Sequence, residues 1–201
     1  MQLSIQHQST YSRGELLLRT FLGWLYIYIP HGFLLLFVGV AAAFLQFVAF
    51  WVILFTGTYP DPMFQFQVKL LRWSLRVNAR AYNLADGYPA FGLEGEDDRT
   101  ELNIPYPEKV NRGLTLIRLF FGIIYVGIPH GFILIFRGFY TGILMFLAWW
   151  MVLFTGEYPK RFHEWSVGLI RWQMRVSLYL MFMTDTYPAF TGDELPGEAE
   201  H

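Results

Sequence analysis

Charge disappears from two long stretches of this chain. No Asp, Glu, Lys or Arg lies between Arg19 and Asp61, and Arg137 alone interrupts the stretch between Arg118 and Glu157. Apolar runs of that length exceed a soluble core helix and hold about two bilayer crossings each. A glycine near the middle of each run, Gly39 or Gly138, offers a point of reversal. The pattern therefore predicts a hydrophobic hairpin in each stretch. Its first helix covers 16–38 or 115–137, and its second ends at Phe55 or Phe154. Thr56-Gly57 and Thr155-Gly156 follow, each with a proline soon after, which reads as a left-handed C-cap. Such spans are about 26–33 Å long, enough for a hydrocarbon core. Trp24, Tyr26, Trp51, Tyr59, Trp149, Trp150 and Tyr158 mark the ends as an interfacial belt would.

The pattern then changes. Over 62–85, Lys69, Arg72, Arg76 and Arg80 fall on one helical stripe, and Phe66, Leu70, Trp73 and Val77 fall on another face. That is the pattern of a basic amphipathic helix lying in the membrane interface. Over 160–184 the stripe keeps Arg171 and Arg175, but Tyr179 stands where Arg80 would be, so this helix is expected deeper, against protein.

These two halves are copies. Residues 19–91 laid without gaps on 118–190 agree at 33 of 73 positions, too many for chance. The shared blocks include Ile29-Pro30-His31-Gly32-Phe33, Leu54-Phe55-Thr56-Gly57, Arg72-Trp73, Arg76-Val77 and Tyr88-Pro89-Ala90-Phe91 with their counterparts. The expected organisation is a first module over 1–91, an acidic, proline-containing linker over 92–112, a second module over 113–190 and an acidic tail over 191–201. The expected fold is an all-α membrane protein: four short transmembrane helices as two tandem hairpins, each followed by an interfacial helix. Two crossings per module give both copies one orientation, with a pseudo-two-fold axis along the membrane normal. Nearly all Lys and Arg then share one side, which the positive-inside rule makes cytoplasmic, with both termini. Ala41-Ala42-Ala43 looks like a signal-peptide cleavage site, but its apolar run is too long and recurs mid-chain.

Composition agrees. The chain is 54% hydrophobic and 15% charged, against roughly 25% charged in soluble domains. Its net charge of −1 gives no pull toward nucleic acid. With no cysteine, disulfides, thiolate metal sites and thiol nucleophiles are excluded.

Three sets of residues invite chemistry. Pro30-His31 and Pro129-His130 place an imidazole beside a helix kink at matching depth; this is a structural feature or, alternatively, a haem or ion ligand. Lys69, Arg72, Arg76, Arg80, Arg171 and Arg175 suit anionic lipid headgroups or a protein partner. Asp86 and Asp185, at helix C-termini where a carboxylate is unfavourable, call for an arginine partner in a structural clasp. No phosphate loop, His-Glu-x-x-His or Gly-x-Ser-x-Gly occurs, so no enzyme, cofactor or metal site is expected.

Phe-Thr-Gly-x-Tyr-Pro after an apolar stretch, Arg-Trp-x-x-Arg-Val, and the closing Asp-x-Tyr-Pro-Ala-Phe together resemble the bacterial membrane proteins of the DUF4389 family, in both copies. Copy one departs slightly, with Ala85-Asp86-Gly87 against Thr184-Asp185-Thr186. The resemblance implies a multi-pass protein of the bacterial inner membrane and supplies no function. The expectation is a non-enzymatic scaffold or accessory subunit, docking on a larger membrane complex or on itself and on anionic lipid. The alternatives are a haem- or ion-binding redox or transport component and a membrane-shaping hairpin protein.

Overall fold

The computed structural model describes residues 1–196; the last part of the acidic tail, 197–201, lies outside the described residues. In chain order the elements are β1 (Gln2–Ile5), α1 (Arg13–Thr56), α2 (Asp61–Ala81), β2 (Thr100–Asn103), α3 (Arg112–Thr155) and α4 (Lys160–Leu180). The protein is predominantly helical, and each copy repeats strand, long helix, shorter helix.

The long helices begin at side-chain caps. Ser12 accepts the Glu15 amide at 3.3 Å and Asn111 accepts the Leu114 amide at 3.0 Å. They end at Gly57 (φ +76) and Gly156 (φ +82), where the left-handed backbone favours glycine.

The reversals expected at Gly39 and Gly138 do not occur. Each apolar stretch is one helix of 44 residues, about 66 Å long at 1.5 Å per residue. Two long helices therefore replace the four short spans. A turn at either glycine would strip about four amides and four carbonyls of their intrahelical partners. Val38, Val40, Arg137 and Phe139 provide nothing to cap them all. Keeping glycine in a helix costs only about 1 kcal/mol, and no atom crowds its side-chain direction within 4 Å at either position. Continuity is cheaper.

The one irregularity is a turn of π-helix at Trp24–Tyr28 and Ile123–Gly127, just ahead of Pro30 and Pro129. There the Ile29 amide reaches back five residues to the Trp24 carbonyl, as expected where proline interrupts the usual ladder.

The two short strands, absent from the sequence-based expectation, pair antiparallel with Leu3 opposite Leu102 and Gln2 opposite Asn103. Leu102 is the repeat image of Leu3, so a pseudo-two-fold axis passes through this pair. The same axis governs the helix ends. The Tyr11 amide donates to the Gly156 carbonyl, and its image, the Val110 amide, donates to Gly57, both at 2.8 Å. Arg13 donates to the Phe154 carbonyl at 3.0 Å, a cation on the negative end of the opposite helix. The start of each long helix thus meets the end of the other.

Between long helices and strands lie α2 and α4. On one side α2 packs on α1, and on the other it meets β2. One hydrophobic core joins both copies, with Leu16, Ile53, Phe64 and Leu75 from the first and Val152, Val167, Ile170 and Leu178 from the second. Gln46 ties the copies: its amide donates to the Met181 carbonyl at 2.8 Å and its oxygen accepts from Tyr59 at 2.7 Å.

Candidate functional site

The repeated motifs interlock. Pro30 has no amide to offer the carbonyl four residues ahead, that of Tyr26. The Tyr88 hydroxyl donates to that carbonyl at 3.0 Å, and Tyr187 does the same for Tyr125 at 3.0 Å. His31 is fully buried. Its Nδ1 accepts from Trp73 Nε1 at 2.9 Å, and its ring stacks on Phe91 at 3.9 Å and 8°. His130 repeats this with Trp172 at 2.8 Å and Phe190 at 3.9 Å. Pro-His-Gly and Tyr-Pro-Ala-Phe are therefore two halves of one latch. Because Nδ1 accepts from an indole, the neutral ring carries its proton on Nε2. Neither nitrogen then presents a lone pair to iron, so the arrangement is an aromatic cage rather than an axial haem ligand. Among the described residues no three His, Asp or Glu side chains gather as a metal site.

The basic stripe faces inward. Arg76, Arg80, Arg171 and Arg175 are all at least nine-tenths buried, not spread on an open lipid- or partner-binding surface. Arg76 donates to the carbonyls of Ala90, Gly92 and Gly95 at 3.2, 2.5 and 2.7 Å. Arg175 donates to those of Thr191 and Asp193 at 2.8 and 2.6 Å. Arg72 reaches Leu102 at 2.9 Å, and Arg171 reaches Leu3 at 3.1 Å and Glu194. These arginines hold the chain that follows each shorter helix, together with the central strand pair. Two members of the expected stripe are open: Arg72 is exposed although its Nε donates to Leu102, and Lys69 is half-buried and bonded to Glu94 at 2.5 Å. The correction has a simple origin: a guanidinium has five donors, and the irregular segments after α2 and α4 turn backbone carbonyls toward them.

Asp86 accepts from Arg19 at 2.9 Å and from the Ser12 amide at 2.7 Å. Asp185 pairs with Arg118 and accepts the Asn111 amide at 2.8 Å. Each clasp ties the entry of a long helix to the exit of the following one. Arg137 lies mid-helix, not at a far turn, with its guanidinium 4.2 Å over the Trp165 ring.

An open cleft of about 750 Å³ is lined by Glu15, Arg80, Asp86, Asp97, Asp98 and Arg99. Its inner acids are engaged. Asp97 bonds Arg80 and Thr100, and although burial pushes its carboxyl up, these partners hold it below the usual range. His163 stands where copy one has Phe64. Burial, with His7 nearby, lowers its imidazole to about 4, so it is a neutral core group at pH 7.

What remains unpartnered is the outer face of the long helices. Phe21, Phe33, Phe37, Val40, Phe44 and Phe55 in α1, and Phe120, Ile123, Phe136, Phe139 and Phe154 in α3, are each more than half exposed. Both helices are long and apolar enough to cross a membrane, and 17% of the most apolar window of each is buried. Outside them, the exposed large apolar side chains among the described residues are Tyr88, Phe91, Tyr106, Trp165, Tyr187 and Phe190. The sequence pointed to this surface. It missed Arg19, Arg118, Gln46 and the tyrosine plugs, whose roles depend on partners 13 to 135 residues away.

A family model described as Domain of unknown function (DUF4389) matches residues 16–92 and again 114–192. No curated protein and no solved structure matches.

Proposed function

The chain belongs to the DUF4389 family as two tandem members, and on that premise we propose that it is a non-enzymatic integral membrane protein, a scaffold or accessory subunit. One observation carries this reading. The long helices present a broad apolar face outward, while the buried arginines and the inner acids are spent on internal bonds. A charged catalytic group has to be free to meet a substrate, and a surface this apolar has to be covered. Lipid covers the long helices, and the layer of strands, linker and loops faces water, where a larger membrane complex or a second copy docks. The bacterial inner membrane, with both termini in the cytoplasm, is the proposed location.

Alkaline carbonate extraction followed by native-level purification into nanodiscs tests this. The expected result is a chain that stays with the membrane after carbonate and brings down a stoichiometric partner or further copies of itself. Release into the carbonate supernatant would overturn the membrane assignment.

A further inference from the structure

From the symmetry we infer that the two long helices lie flat in one lipid leaflet instead of crossing the bilayer, an inference that rests on the membrane reading above. The argument is geometric. A two-fold axis preserves height along itself, so Tyr11 and its image Val110 share one height, and Gly57 and its image Gly156 share another. The 2.8 Å bonds from Tyr11 to Gly156 and from Val110 to Gly57 make those two heights nearly equal. Both ends of each 44-residue helix therefore sit at the same level along the axis. A helix with a contour of about 66 Å and level ends runs, end to end, across the axis, whatever bend its π-turn introduces.

Two placements in lipid remain, and charge decides between them. If the axis lay in the membrane plane, each long helix could cross. The strand pair through which the axis passes would then straddle the bilayer midplane. Exposed Ser4, Glu101 and Asn103 sit on those strands, and Asp98 and Arg99 lead into β2. A carboxylate at that depth costs several kcal/mol, and open strand edges find no partners in hydrocarbon. If the axis runs along the membrane normal, those groups stay in water and α1 and α3 lie in the plane. The exposed stripe from Leu17 to Phe55 then fits without mismatch, whereas upright it would be about twice a 30 Å hydrocarbon core. A helix about 10 Å across fills much of one leaflet's apolar half. Tyr88, Phe91, Tyr187 and Phe190, beside the buried histidines, take the interfacial aromatic position. The occupant of the apolar face is thus a single lipid leaflet.

The absence of cysteine makes the test clean. The full chain carrying Thr10→Cys and Thr58→Cys, two exposed positions flanking α1, is reconstituted in sealed phosphatidylcholine–phosphatidylglycerol vesicles. It is treated with a membrane-impermeant maleimide and weighed intact. An in-plane helix gives chains bearing two labels or none, whichever way each molecule inserted. A crossing helix gives one label on every chain, which would overturn the inference and leave the membrane reading standing. A Val40→Cys variant carrying a bimane label separates the two failures. Its fluorescence is expected to be quenched by lipids spin-labelled along the acyl chain. Quenching only by a water-soluble quencher would sink the membrane reading itself.

Discussion

A carbonyl freed by proline is the smallest unit on which this fold depends. Tyr88 and Tyr187 each cover one, and no water is available there if the helix faces lipid. Tyr88→Phe is expected to cost about 1–3 kcal/mol, the penalty of an unsatisfied buried acceptor. Pro30→Ala restores an internal amide, so in that background the same Tyr88→Phe change is expected to cost markedly less. A double-mutant cycle of unfolding in detergent measures the coupling, and additive costs would mean that the tyrosine does not serve the proline. His163 gives a pH effect with a definite sign. Its imidazole titrates near 4 in the fold and near 6.5 when unfolded. Above pH 6.5 both states are neutral and nothing is lost. As the pH falls toward 4, the unfolded chain binds a proton that the folded chain refuses, and stability drops by about 3 kcal/mol. His163→Phe, which installs the residue copy one carries at Phe64, is expected to flatten the melting profile between pH 6.5 and 4. The Asp97 carboxyl, held low by Arg80, contributes its loss below that window.

Elements show where sequence patterns reach their limit. The repeat, the apolar stretches, the left-handed glycine stops and the presence of a helix over 61–81 were legible because each is a local pattern of 3.6-residue periodicity or turn chemistry. The continuity of α1 through Gly39 was not, since glycine marks a turn only where polar neighbours can satisfy the freed backbone, and Val38 and Val40 cannot. The arginine stripe was legible as a stripe, but periodicity does not say what faces it. Carbonyls from Ala90 to Gly95 face Arg76, and these lie beyond any helical window. Arg76→Leu is therefore expected to release the 90–99 segment. Limited proteolysis should cut there at least tenfold faster than in the parent, whereas binding to anionic vesicles should change little. Strong loss of vesicle binding with unchanged proteolysis would return the arginine to a lipid-facing role. Arg72→Leu and Arg171→Leu, which lose the contacts to Leu102 and Leu3, are expected instead to loosen the strand pair.

At the scale of the molecule, each copy is incomplete without the other. Strand β1 is paired by β2, the amide of Tyr11 by Gly156, and the amide of Val110 by Gly57. All of these contacts lie across the axis, none within a copy. A chain cut between Asp98 and Arg99 leaves the Arg80–Asp97 pair in the first half and β2 in the second. The first half alone then has an unpaired strand edge and a bare apolar core face, and both can be closed by a second first half. Because Leu3 pairs with its own repeat image, that homodimer would place Leu3 opposite Leu3, with Arg72 of each chain reaching the other's strand. The two-fold therefore predicts that residues 1–98 purify in detergent as a dimer by light scattering, and that adding 99–201 converts it to a one-to-one complex. The mixed pair should win. Gln46 then regains the Met181 carbonyl, and the Arg171 guanidinium regains Leu3. A first half that stays monomeric with full helicity would show that the copies are independent modules and that their shared core is a consequence of tethering.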